Sequence, residues 1–288
     1  MYNVISYYVI VHNVIRHIVI QCNVTRYTVV VHNVVRYNVI GYNIMRYYVV
    51  VRYVIRHIVI QCNVIRHNVA VHNVSRYSVV VHNFICNIVI QYNVIGYNVV
   101  SHNVIRNNEV VQNVIRYNVI AYNVICYFVI IHNVIRHIVI QYNVIRYKVE
   151  VQNVIYYKVV VHTVIRYSVV VHNVIRFNVV VHNVIRHNVV VHNAIRYNVA
   201  LHNVIRHIVM QYNVIHYNGV VHIVIRYNVV VYVFMVYYVI VLNVIRHIVI
   251  QSNVTRYTVV VHNVIRCSVM VHNVIRCNVV VLTLYVTA

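Results

Sequence analysis

Histidine, arginine and tyrosine recur along this chain at fixed spacing, and they set what chemistry it could perform. There are 22 His residues, and His162, His172, His182, His192 and His202 follow one another at ten-residue steps. Neutral imidazole is a ligand for zinc or copper, so a ladder of imidazoles would have loose metal affinity. No carboxylate is placed to orient the rings, so no specific metal site is expected. Arg keeps the same step, most regularly at Arg166, Arg176, Arg186, Arg196 and Arg206. Interleaved Arg and Tyr is the general chemistry of nucleic-acid binding. These five Arg are therefore the candidate site for a polyanion, either nucleic acid or an anionic surface. No recognised nucleic-acid module is present, so binding would be non-specific and steeply salt-dependent. The competing reading gives the same charges a gatekeeping role that limits self-association.

Catalysis finds no footing. General acid–base pairs need carboxylates, and the only two acids, Glu109 and Glu150, stand far apart in sequence. No Gly-rich phosphate loop, nucleophile elbow or zinc-protease motif occurs. The expectation is a non-enzyme with no catalytic residue, no cofactor and no dedicated metal. The six cysteines, Cys22, Cys62, Cys86, Cys126, Cys267 and Cys277, include no C-x-x-C pair. Cys22 to Cys62 and Cys86 to Cys126 are each forty residues apart. Two coils of a twenty-residue solenoid would separate them by about 9.6 Å, too far for a bridge.

The composition constrains the elements that carry these residues. Pro and Trp are absent and Gly appears only three times, which removes the usual turn residues. A net charge of +22 has almost no internal counter-charge, so the chain must repel itself, bind anions or self-associate. At 62% hydrophobic it is not disordered by composition. Its first twenty residues lack a basic leader and read as ordinary repeat, so no signal peptide is evident. The longest uncharged apolar run, Val229 to Leu242, is shorter than the roughly 20 residues a spanning helix needs. The compartment is left open.

Residues 1–288 form one continuous array, without linker or second domain, in which each block of ten reads approximately V-H-N-V-I-R-Y-N-V-V. Longer copies lie on top: HIVIQCNV starts at His17 and again at His57. Each block divides into two similar pentads, and fixed-period self-similarity marks a solenoid or array. Val and Ile dominate, and both fit a pleated strand better than a helix. Side chains on a strand alternate with period two, and five is odd. A bend in every pentad is needed to give all the Val one common inside. Asn, which tolerates left-handed geometry, is the available residue, at the third position and at the eighth, where Ile, Thr or Lys often replaces it. The predicted fold is all-β, an elongated tandem-repeat β-solenoid with a ten-residue repeat made of two pentads. Cross-β aggregate is its close rival, and a transmembrane barrel is weakened by the missing turn residues. The apolar tail, Val279 to Ala288, is expected to leave an open, sticky edge.

The unit with Asn immediately before an aliphatic residue, as in His172-Asn173-Val174-Ile175-Arg176, resembles the pentapeptide-repeat family. The resemblance runs along nearly the whole chain and implies a right-handed, four-sided β-helix with four pentads per coil. It also implies a small, inward-facing residue just before the Asn, where this chain has His or Tyr. About 14 coils would then stack at the ~4.8 Å strand spacing.

Variation within the repeat bears on function. At the sixth position Arg gives way to Ser6, Cys86, Gly96, Cys126, Tyr156, His216 and Val236, and never to Lys. Most of these replacements lie one base from an Arg codon. Glu109 and Glu150 stand where Val is expected, again one base away, and a buried Glu at a Val site should cost several kcal/mol. Three readings of different class follow: a structural or interaction protein without chemistry, a basic module for polyanions, and a translated 30-base DNA repeat with no function as protein.

Overall fold

The computed structural model describes residues 4–281. The chain is an all-β solenoid of parallel strands: β1 (Val4–His12), β2 (Arg16–Val161), β3 (Val164–Val221), β4 (Val224–Val231) and β5 (Phe234–Val281). It divides into two compact units, Met1–Arg146 and Tyr147–Ala288. The coil is twenty residues in both. In the first unit Val4 pairs with Val24 and His12 with His32. In the second, Val204 pairs with Val224 and Val224 with Val244. Each coil therefore contains two ten-residue blocks, and every block position forms a row that runs along its unit.

Burial within a block shows how the chain turns. Val171, Val174, Phe177 and Val179 face inward, while Asn173, Ile175 and Arg176 are exposed. From position seven through nine to the next position one, inward residues alternate as on a straight strand. Positions two and three then both face outward, and so do five and six. Each pair breaks the alternation and marks a bend, leaving the Val at position four as the one inward residue of a short edge.

The first bend is fixed by Asn. Among the described residues every Asn at position three has φ near +50°, from Asn13 (52°) to Asn273 (54°). Asn is among the few residues that tolerate this region, because its short polar side chain bonds locally. Where Asn is replaced by a β-branched residue, at Thr163, Ile223 and Val233, positive φ is not adopted and the strand is interrupted. Ladder bonds persist at two of these sites, His222 N to Leu201 O and Tyr232 N to Gln211 O, both 2.9 Å. Tyr53 keeps the bend, at φ 53°. The Asn side chains also bond from coil to coil, Asn43 to Asn23 and Asn63 to Asn43 at 2.9 Å. Interior to such a row, each amide both donates and accepts.

Two expectations are corrected here. Asn at position eight does not bend the chain; it lies on the straight segment, and the second bend falls at positions five and six. The residues before the two Asn positions also differ. At position two, rings are half-buried on the outer surface, whereas at position seven they fill the core. The core holds them because like rings stack in register, as in Tyr77–Tyr97 and Tyr97–Tyr117, each with centroids 5.1 Å apart. That separation is close to the strand spacing, so each coil supplies one ring layer, and each stacked pair adds about 0.5–1.5 kcal/mol.

One core pair shows mutual fitting. Gly41 occupies a buried Val position, and Ile44 a Val position three residues on. A Cβ on Gly41 would lie 2.7 Å from Ile44 Cδ1, so the longer side chain takes the space the glycine leaves. Gly41→Ala should destabilise the chain by about 1 kcal/mol or more, and adding Ile44→Val should recover most of that loss. A double-mutant cycle of thermal melts measures it; additive effects would show that the two residues do not share this space. The apolar tail lies partly outside the described residues.

Candidate functional site

The short edges carry the exposed functional groups. Position two places His or Tyr there, position three Asn, position five Ile and position six Arg, all facing outward. The five candidate Arg are all exposed. The structure sorts them into two rows on different edges of the second unit. Arg166, Arg186 and Arg206 share one row, as the adjacent stacked rings Tyr167–His187 and His187–His207 show, both at 4.6 Å. The same row continues through the pair Arg206 and Arg226 and the pair Arg226 and Arg246. Arg176 and Arg196 lie in the other, beside the stacked Phe177–Tyr197. Like charges one strand apart repel by on the order of 1 kcal/mol even in water. Lys148 and Glu150, each about half exposed, approach at 3.4 Å, and the chain's other acid, Glu109, is buried in the core.

The Tyr at position seven are not available beside the Arg; the exposed rings stand elsewhere, as at Tyr48 and Tyr232. Tyr167, Tyr197 and Tyr227, each directly after an Arg, are buried, so these rings cannot stack on a base. The outward neighbour of each Arg is instead the preceding Ile. In the first unit Arg26, Arg46 and Arg66 line a shallow groove of about 240 Å³ together with Tyr48 and Asn68. Its walls are surface, not a cleft that would isolate a reacting group.

The His rows form as the spacing predicts. His162, His182 and His202 stack at 5.0 and 5.1 Å with nearly parallel planes. That geometry works against chelation. A metal bonds imidazole nitrogen in the ring plane at about 2.0–2.1 Å, and parallel rings this far apart cannot both reach one ion. Among the described residues, no group of three or more His, Cys, Asp or Glu could hold a metal. Cys22, Cys62, Cys86, Cys126 and Cys277 are free thiols.

Sequence reasoning marked Glu109 as standing at a Val position but missed the buried polar residues that bond to it. His67 Nδ1 meets Asn87 Oδ1 at 2.6 Å, Asn87 donates to Asn107 Oδ1 at 2.8 Å, and Asn107 donates to Glu109 Oε1 at 2.8 Å. All four are buried. Burial pushes the Glu109 carboxyl up to about 7, opposed by the hydrogen bonds from Asn107 and Tyr127. Glu150, expected to be costly if buried, instead sits at the half-exposed tenth position beside Lys148. A second polar pair, His187 and His207, shares one contact at 2.6 Å between Nδ1 atoms. Burial lowers His187 to about 3. Burial and, to a lesser degree, the His187 ring hold His207 well below the ordinary value.

No protein-family model matches the chain, and no curated protein or solved structure matches it. Among the described residues, no helix is long and apolar enough to cross a membrane.

Proposed function

We propose that this chain is a structural and interaction repeat protein without catalytic chemistry, whose Arg rows engage polyanions through charge. The observation that supports this reading is the Arg166, Arg186 and Arg206 row, exposed, repeated at every coil and without an acidic neighbour. The solenoid acts as a ruler: it fixes one guanidinium per coil, at about the 4.8 Å strand spacing. A flexible basic tail would have to lose conformational freedom to do the same. Because identical positions repeat, the surface offers many equivalent contacts and no unique cleft.

Binding to immobilised heparin at graded salt tests it. Replacing Arg166, Arg186 and Arg206 together by Gln should weaken binding about ten- to a hundredfold at low salt and flatten its salt dependence. Equal affinity of the variant at every salt concentration would remove the proposal.

A second reading, a translated DNA repeat not selected as protein, is favoured by one observation. Gln141, Gln211 and Gln251 replace Val at the buried first position, and none of their side-chain amide atoms has a hydrogen-bond partner. The replacements at position six argue less for this reading, because that position is exposed and tolerates them. The bonded set His67, Asn87, Asn107 and Glu109, and the fitted pair Gly41 and Ile44, argue against it. An excess of silent over replacing differences among the DNA copies would favour selection on the protein; no excess would favour the repeat.

A further inference from the structure

The two edges of the second unit are not equivalent. On one, position five and position six read Ile165-Arg166, Ile185-Arg186, Ile205-Arg206, Ile225-Arg226, Ile245-Arg246 and Ile265-Arg266, unbroken from 165 to 266. On the other, the run is broken by Tyr156, His216, Val236 and Thr255. In the first unit Thr25, Ser75, Cys86, Gly96 and Cys126 interrupt both edges. The unbroken edge thus sets a row of Ile against a row of Arg over six coils, about 24 Å at the strand spacing. Its Ile are 40–45% exposed, from Ile225 to Ile265.

From this juxtaposition we infer that the 165–266 edge docks on an anionic lipid surface, with the Ile row entering the headgroup boundary and the Arg row paired to lipid phosphate and carboxylate. The inference rests on the polyanion reading above and names its partner. Apolar area combined with adjacent cationic charge is what drives adsorption to an anionic bilayer interface. A nucleic acid would use only half of the edge. Its phosphates would meet the Arg, but beside them its bases would find aliphatic Ile; the edge's rings at position two, such as His182 and His202, are half-buried and stacked on one another, and the Tyr rings of this unit's seventh position are inside. A free soluble polyanion likewise leaves the Ile row in water. Charge complementarity selects anionic over neutral lipid, since the whole chain carries +22.

The test uses the full chain with vesicles of mixed phosphatidylserine and phosphatidylcholine, vesicles of phosphatidylcholine alone, and heparin. The native chain should sediment with the mixed vesicles and not with the neutral ones. Ile185→Thr, Ile205→Thr and Ile225→Thr together keep β-branched strand residues and all charges. They should cut vesicle binding about tenfold or more and leave heparin binding unchanged. Arg186→Gln, Arg206→Gln and Arg226→Gln together should reduce both, vesicle binding by about a hundredfold at about fivefold per charge. The chain has no Trp, so Ile205→Trp supplies a single reporter. Its emission should shift to the blue with mixed vesicles, while Ile195→Trp on the other edge should not shift. Full vesicle binding by the Thr variant, an unshifted Ile205→Trp, or tighter binding to duplex DNA than to mixed vesicles would overturn the lipid inference while leaving the polyanion reading intact. Heparin binding unaffected by the Gln variant would overturn both.

Discussion

Acidification from pH 7 should unfold the solenoid, with a midpoint between about pH 4.5 and 6. The cause lies in the core histidines. Burial lowers His57 and His187 to about 3, and His67 and His247 to about 4. His137 and His207 are held well below the ordinary value. In the unfolded chain each titrates near about 6.5. Between those limits the unfolded state binds more protons, so stability is fully present above about pH 6.5 and falls as pH drops towards the folded values. Each such group removes about 1.4 kcal/mol by pH 5.5, and about 3 kcal/mol by pH 4 where its folded value is lowest. Three of these His lie in each unit, so the loss by pH 4 is comparable with the whole stability of an ordinary domain. Glu109 acts with the opposite sign. Its folded value, about 7, is raised, so it favours the fold as pH falls from there towards the ordinary carboxylate range, but it is one group in a unit with three such His. Circular dichroism against pH measures the transition. His187→Tyr with His207→Tyr, which installs the ring most common at this position, should move the transition to lower pH. An unchanged β signal down to pH 4 would mean these imidazoles are not inside.

Gln211→Leu with Gln251→Leu should stabilise the second unit by about 2–6 kcal/mol. Each buried Gln leaves both ends of its amide without a partner, at a penalty of about 1–3 kcal/mol per site. Leu has nearly the volume of Gln, and Leu201 already occupies the same block position, fully buried. The rise in melting temperature should be about 5–15 °C. The same exchange at Gln141 should stabilise the first unit by about half as much. If melting does not rise, these side chains find partners in solution, or the first block position does not face inward.

The two outcomes address the feature hardest to see in the sequence. The Val interior and the bend at position three were legible, because Asn recurs there and an odd unit cannot stay straight with one inside; the twenty-residue coil came only as an implication of the resemblance. What hid the rest was the likeness of the two pentads. It suggested that Asn38 and Asn178 turn the chain as Asn33 and Asn173 do, yet among the described residues only those at the third position take positive φ. A signal did exist: position eight also accepts Lys148, Lys158, Ile18 and Thr28, a mixture that suits an outward strand position and not a left-handed corner. The same likeness hid that His172 lies on the surface and Phe177 in the core. The Arg rows were legible from spacing alone. Their Ile partners were not, since adjacent residues share a face only where the pleat breaks, and the break at positions five and six has no Asn to announce it.

Spin labels compare the twenty-residue coil with every other arrangement most directly. With the native cysteines replaced by Ser, nitroxides placed at Arg176 and Arg196 are one coil apart, and those at Arg176 and Arg186 are on different edges. The solenoid predicts strong dipolar broadening for the first pair and much weaker broadening for the second, although the second is closer in sequence. Broadening that is equal for both pairs, or stronger for Arg176 and Arg186, would contradict the coil.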